Sequence, residues 1–288
     1  MKIKFWGTRG SIPVPGKNTI KFGGNTACVQ ISDDENFIIL DAGTGIRELG
    51  NELMQNHLCN EIHLLISHTH WDHIQGLPFF SPIYNDQCTL DIYAEIKHGA
   101  SIDRIFETQW DPNYFPVTSE IFKDKVKYIE IGNMQNIDVN GFNVSSINTH
   151  HSEGTLAYKI EKNGNKIVYM TDNELYYDAK RNLPTPEEIL EKNRLQVEFI
   201  KDADILIHDT MYQHEDYGEK IGWGHSNNYS ASVFANLGNV KKLLLFHYDP
   251  DYSDRKIEAI ELETNELLKE LNSSVVCEGA FDGMELII

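Results

Sequence analysis

Short apolar runs, each closed by a polar residue, recur along this chain. Ile38-Ile39-Leu40 stops at Asp41, and Leu64-Leu65-Ile66 stops at Ser67. Lys166 to Met170 stops at Thr171-Asp172, Ile205-Leu206-Ile207 at His208-Asp209, and Leu243 to Phe246 at His247. Unbroken apolar runs of this length read as strands buried on both faces. Helical spacing appears between them. After Gly43 and Gly45, residues Ile46, Leu49, Leu53 and Met54 fall on one side of a helix. Pro186 to Ile200 reads as one helix, with Glu187 and Glu188 in the first turn where the helix dipole favours anions. Ser230 to Leu237 reads as another, stopped by Gly238, and Lys256 to Leu271 as a third. Strands that deliver polar side chains at their C-terminal ends build a site along one rim. Any one of these residues alone is better read as a solvated loop position; the succession is not.

Composition narrows the setting. The 288 residues are expected to form a single domain over 1–288, with about 82–127 as an elaboration that caps the site or contacts a second subunit. With 41% hydrophobic and 24% charged residues, the chain is ordinary globular protein. Its 44 acidic against 25 basic side chains give a formal charge of −19, and no run of five basic residues exists. That balance argues against gripping long nucleic acid or an anionic membrane surface. Cys28, Cys59, Cys88 and Cys277 show no C-x-x-C spacing, so reduced thiols and a cytoplasmic location are expected. The N-terminus has no apolar leader, and no window approaches a membrane span.

The sharpest chemical signal is His68-Thr69-His70-Trp71-Asp72-His73. Four of its six residues offer N or O ligands to a borderline divalent metal. Directly after a strand, alternation sends His68 and His70 to one side. Asp72 and His73 fall where the chain turns. One tetrahedral ion cannot take all four comfortably at this spacing, so the string suggests two metals.

This H-x-H-x-D-H string resembles the signature of the metallo-β-lactamase fold hydrolases. The resemblance implies an α/β fold, an αββα sandwich of two mixed β-sheets flanked by helices, with metals at one rim. It also implies further ligands. His151, in His151-Ser152-Glu153-Gly154-Thr155-Leu156-Ala157-Tyr158, matches the third-histidine segment, with His150 as the alternative. Asp172 matches the bridging aspartate and His247 the last histidine. One ion would then sit on His68, His70 and His151, the other on Asp72, His73 and His247, and Asp172 would reach both. Two divalent ions follow, zinc first and manganese as the other candidate. His70 disfavours the di-iron flavoprotein branch, and Asp172 disfavours β-lactam hydrolysis.

Three further stretches resemble the tRNase Z-like branch, and within it the cyclic-nucleotide phosphodiesterases, including phage enzymes that destroy cyclic pyrimidine signals. They are Gly7-Thr8-Arg9-Gly10-Ser11-Ile12-Pro13 with Gly23-Gly24-Asn25-Thr26, Asp41-Ala42-Gly43-Thr44-Gly45, and Gly222-Trp223-Gly224-His225-Ser226. The expected activity is metal-dependent hydrolysis of a small 3′,5′-cyclic nucleotide, with Asp72 and His225 as catalytic side chains. In this branch the histidine matching His225 stands by the scissile phosphate, where it donates a proton or stabilises charge. Asp41 and Asp209 are read as partners that orient histidines. Arg9 either meets phosphate or braces its loop. Expected partners are a small cyclic nucleotide, with no long nucleic acid and no membrane; family members are often dimers, though no pattern in this chain shows a homodimer. The alternatives are a tRNA 3′-end endonuclease, which calls for a basic arm that the chain lacks, and a thioester or lactone hydrolase, for which the His225 loop has no job. A non-catalytic nucleotide receptor would have lost a ligand, and none is lost.

Overall fold

A computed structural model of the chain describes residues 1–58, 60–95, 101–178 and 183–288; Cys59 and His98 lie outside the described residues. The strands are β1 (Lys2–Gly7), β2 (Cys28–Ser32), β3 (Phe37–Leu40), β4 (Glu61–Leu65), β5 (Thr89–Ala94), β6 (Val126–Glu130), β7 (Asn136–Val139), β8 (Phe142–Asn148), β9 (Leu156–Lys162), β10 (Asn165–Met170), β11 (Ile205–Asp209), β12 (Lys242–Phe246), β13 (Val276–Gly279) and β14 (Glu285–Ile287). The helices are α1 (Ile46–Gln55), α2 (Trp71–Ile74), α3 (Ile102–Glu107), α4 (Pro186–Lys192), α5 (Arg194–Ile200), α6 (His214–Tyr217), α7 (Asn228–Leu237) and α8 (Asp254–Glu270).

The strands form two seven-stranded sheets, ordered β14-β1-β2-β3-β4-β5-β6 and β13-β12-β11-β10-β9-β8-β7. Each is mixed. Pairing is antiparallel from β14 to β3 and parallel from β3 to β6. In the second sheet it is antiparallel from β7 to β10 and parallel from β10 to β13.

Burial explains why the apolar runs do not alternate. One core lies between the sheets and joins Phe5, Leu40, Leu65, Tyr158, Tyr169, Ile207, Leu244 and Phe246. The next residue along the same strand faces the other way and is also covered. Leu64 packs with Ile46 and Leu49 of α1, whereas Leu243 and Leu245 pack with Ala231 and Phe234 of α7 and with Ile257 and Ile260 of α8. Both faces of the central strands are therefore dry, as parallel strands under helices must be. The expected αββα layering is what the chain adopts.

Local differences have local causes. The single helix expected over Pro186–Ile200 is two, broken at Asn193, whose backbone leaves the helical region (φ −123°, ψ 29°). The Asn193 side chain is spent elsewhere: its amide donates to the carbonyls of Tyr176 and Ile189, and its oxygen accepts from Tyr176 N. Residues 82–127 are partly integral to the fold, since β5 and β6 extend the first sheet; only the excursion between them, carrying α3, stands outside it. Cys28 and Cys277 are buried free thiols, but Cys88 is disulfide-bonded, which corrects the expectation of reduced thiols there. Among the described residues no helix is long and apolar enough to cross a membrane.

Candidate metal centre and the His225 loop

The parallel strands of both sheets end at one rim, and the polar residues that close them meet there. Three hold a backbone conformation that side chains rarely adopt: Asp41 (φ 60°), Asp172 (φ 47°) and His247 (φ 62°). Such positions cost on the order of 1–3 kcal/mol each and persist only where surrounding contacts fix them. For Asp41 those contacts are explicit. Its carboxylate accepts from Ser67 N (2.7 Å), Ser67 Oγ (2.8 Å), Tyr169 Oη (2.7 Å) and His73 Nδ1 (2.8 Å). The result fixes the His73 ring and turns its Nε2 toward the rim.

Seven side chains converge. His68, His70, His151 and Asp172 form one group of potential ligands, and Asp72, His73 and His247 another, with the ligand atoms of each group within 4.8 Å of one another. Asp172 joins the two. Its Oδ2 lies 3.5 Å from both His68 Nε2 and His151 Nε2, while its Oδ1 lies 3.1 Å from His73 Nε2 and 3.2 Å from His247 Nε2. Asp72 Oδ2 lies 3.2 Å from His73 Nε2 and 3.1 Å from His247 Nε2.

These residues fit divalent cations by their own chemistry. His68 Nε2 is buried with no hydrogen-bond partner, yet it points at a carboxylate. The Nε2 atoms of His73 and His247 face each other at 3.2 Å, each also within 3.2 Å of an Asp72 and an Asp172 oxygen. Burial, and then the neighbouring His73, hold the His68 pKa well below the usual imidazole range, so its ring offers a free lone pair. Burial works against a charged His73 too, but Asp72, Asp172 and Asp41 outweigh it and draw a proton onto the ring. The pocket thus demands positive charge, which a cation supplies without protonating a ligand.

The adjacent histidines at 150 and 151 part company. His151 directs Nε2 to His70 Nδ1 (3.1 Å), and its Nδ1 donates to the Gly224 carbonyl (2.9 Å). His150 instead lies flat on Tyr176, with ring centroids 4.0 Å apart. Both its nitrogens are engaged, Nδ1 with the Glu174 carbonyl and Nε2 with the Gln196 amide.

His225 packs against the cluster, its ring stacked on His247 (5.1 Å, 18°). Its Nδ1 donates to Asp209 Oδ2 at 2.9 Å. Asp209 is held in turn by Asn173 N and Met211 N. Burial would lower the His225 pKa, but Asp209, reinforced by Asp172 and Asp72, raises it to about 9. Asp209 therefore orients His225, as Asp41 orients His73. Arg9 is a brace. It is fully buried, donating to the carbonyls of Gly23, Asp249 and Tyr252.

Two glycines set the packing. A Cβ on Gly10 would lie 2.5 Å from His247 Cε1, and one on Gly224 (φ +85°) would lie 2.2 Å from His151 Nδ1. Glu174 carries no signal in the sequence beyond its place after Asp172-Asn173, yet it holds the whole His225 loop. Its carboxylate accepts from Tyr217 Oη (2.7 Å), Gly222 N (2.7 Å) and Gly224 N (2.9 Å). Ser67 and Tyr169 were equally silent, because their partner Asp41 is distant in sequence.

With this geometry in hand, similarity to known proteins can be weighed. Residues 36–248 match the Beta-lactamase superfamily domain. The chain is 26% identical over 285 residues to Ribonuclease Z of Picrophilus torridus, covering 88% of this chain and 87% of that protein. It is 25% identical over 290 residues to Ribonuclease Z of Archaeoglobus fulgidus, covering 88% of each. Among solved structures, the Bacillus subtilis metallo-beta-lactamase fold protein YhfI superimposes with a TM-score of 0.69 at 19% identity, over 99% of both chains. Unliganded yeast PDE1 gives 0.68 at 16% identity, over 100% of this chain and 99% of that one. The short form of human tRNase Z gives 0.62 at 18%, over 100% and 99%.

The relatives named Ribonuclease Z overturn one expectation. From the −19 charge the chain is expected to favour a small cyclic nucleotide and to take no long nucleic acid; relatives that act on RNA contradict that expectation. Formal charge sums over the whole surface, but salt confines each charge's reach to about 10 Å. A strand is met by the charges of the site and its rim, and the distant acidic surface has little say.

Proposed function

The chain belongs to the beta-lactamase superfamily, as a metallo-β-lactamase fold hydrolase of the tRNase Z-like branch, and from that premise we propose that it is an RNA phosphodiesterase of the ribonuclease Z type. The observation that carries the reading is a seven-residue N/O cluster with a buried, Asp209-held His225 stacked against it. Its similarity, over 88% of the chain, to proteins named Ribonuclease Z supports RNA as the substrate.

In this reading His68, His70 and His151 would hold one divalent ion and Asp72, His73 and His247 the other, with Asp172 standing between the two groups. Zinc suits an all-nitrogen-and-oxygen set of this kind. Two such ions supply Lewis acidity toward the phosphate oxygens and lower the pKa of water toward neutrality. The chain's own residues supply the rest. Asp41 keeps His73 in one tautomer, with Nε2 facing the cluster. Asp209 holds His225 Nδ1 and favours its charged form, so Nε2 can give a proton to the departing ribose oxygen. That oxygen leaves as an alkoxide and depends on the proton. A thioester's sulfur, with a thiol pKa of about 8.5, does not. His225 is therefore useful for a phosphodiester and idle for a thioester.

The test is hydrolysis by zinc-loaded protein of an RNA carrying a 3′ extension, with a thioester beside it. Wild type should cut the RNA, and His225→Ala should cut it about 10²–10⁴-fold more slowly while keeping its zinc. Thioester turnover without RNA cleavage would sink the proposal.

A further inference from the structure

We infer that the cleft beside the metal centre is a nucleobase subsite, in which Tyr176 and Trp223 stack the base of a nucleotide next to the scissile phosphate; this rests on the reading above for the identity of the strand as RNA. The cleft has a volume of about 470 Å³, and its inner wall is His70 and His151. Those two are the solvent-facing members of their ligand group, since His68 and Asp172 are buried. The cleft is therefore the approach to the cluster. Its size lies within the range of small-molecule sites.

Two large aromatic rings line the cleft and remain in water, Tyr176 at 48% exposure and Trp223 at 58%. Both are held from behind. Tyr176 is backed by the flat His150 ring at 4.0 Å, whose two nitrogens are fixed by Glu174 and Gln196. Asn193, fully buried, grips the Tyr176 backbone by N–H and carbonyl, breaking a helix to do so. Trp223 carries the Lys220 ammonium 4.2 Å from its ring. The glycines on either side of it donate to the buried Glu174 carboxylate. An aromatic retained only for the core would be covered. Both line the cleft while a large part of each side chain stays in water. An exposed aromatic in such a cleft suits the π-face of a base of any identity, because stacking is tolerant of sequence. Stacking there needs no basic surface.

The experiment places 2-aminopurine at successive positions of an oligoribonucleotide and follows its quenching within the first turnover by stopped flow, using zinc-loaded protein. Wild type should quench the probe at one position adjoining the cleavage site. Tyr176→Ala and Trp223→Ala, both at solvent-facing positions, should each weaken binding at that position roughly tenfold or more. Quenching that is absent in wild type, or unchanged in both variants, overturns the subsite even where the RNA is cut. Quenching that depends on both rings, with no RNA cleavage, upholds the subsite and removes the ribonuclease reading.

Discussion

Replacing Gly224 with alanine adds one methyl group at a position where the added carbon would sit 2.2 Å from His151 Nδ1. Carbon and nitrogen need about 3.5 Å, so the ring must retreat by roughly 1.3 Å. Retreat breaks the bond from Nδ1 to the Gly224 carbonyl, now 2.9 Å, and pulls Nε2 away from its position 3.5 Å from Asp172. Loss of an orienting partner costs a metal site about 10–100-fold in affinity, and a misplacement of 1 Å costs about 10²-fold in rate. A control stands two residues away. Gly222 has φ +84° against +85° for Gly224, but a Cβ there meets nothing within 4 Å. Both variants keep the N–H that donates to Glu174, and both bear the same left-handed strain of about 1–2 kcal/mol. The difference between them therefore isolates the clash with His151. The assay is zinc affinity by competition with a chelator, with RNA turnover and Tm measured on the same samples. Gly224→Ala should lose 10–100-fold in affinity for one zinc, while Gly222→Ala keeps it, and the clash should lower the Tm of Gly224→Ala further than the shared strain lowers that of Gly222→Ala. Equal zinc affinity in both variants would refute the placing of His151 on a metal.

Three other outcomes follow from the same coordinates. Asp41→Asn leaves His73 Nδ1, Ser67 and Tyr169 donating to a neutral and mismatched amide; zinc affinity should fall about 10–100-fold, and loss of the buried acceptor should lower stability by about 3 kcal/mol or more, both read by chelator competition and urea unfolding. His208 is fully buried, and burial pushes its pKa down to about 4 from 6.5. The unfolded chain then takes up the proton first as pH falls, so the folded state's advantage is full above pH 6.5 and is lost on the way to pH 4. That is roughly 3 kcal/mol at about 1.4 kcal/mol per pH unit, and the urea midpoint of His208→Gln should vary less than wild type across this window. Finally, if only charges within about 10 Å of a bound strand count, the −19 total should not set the salt response of RNA cleavage. The kcat/KM for RNA should stay flat or fall as salt rises, with a slope set by the phosphate contacts at the site; a rise with salt would show that the distant acidic surface repels the strand.

How much could be read in advance depends on how far apart the interacting residues lie. The strand ends at Asp41, Asp172, Asp209 and His247 were visible because each follows its own apolar run, and the H-x-H-x-D-H string was visible because its spacing is local. The break at Asn193 was not, since helical propensity across Pro186–Ile200 gives no hint that Tyr176 claims the side chain. Nor could spacing separate His150 from His151. Only the packing of Tyr176 and Gly224 decides which of the two faces the cluster. Total charge misled because composition has no coordinates. It reports 44 acidic residues but not where they stand.

By itself, the sequence determined a succession of buried strands with polar ends and the N/O ligand types at those ends, because periodicity and short motifs are local properties of a chain; the two-sheet layering was what the family resemblance implied. The tertiary structure alone decided that His151 rather than His150 faces the cluster, that Asp209 serves His225 while Asp41 serves His73, and that Glu174 holds Gly222 and Gly224 with Trp223 between them. Each of those facts is a distance between residues tens to hundreds of positions apart, and such distances exist only once both sheets have packed.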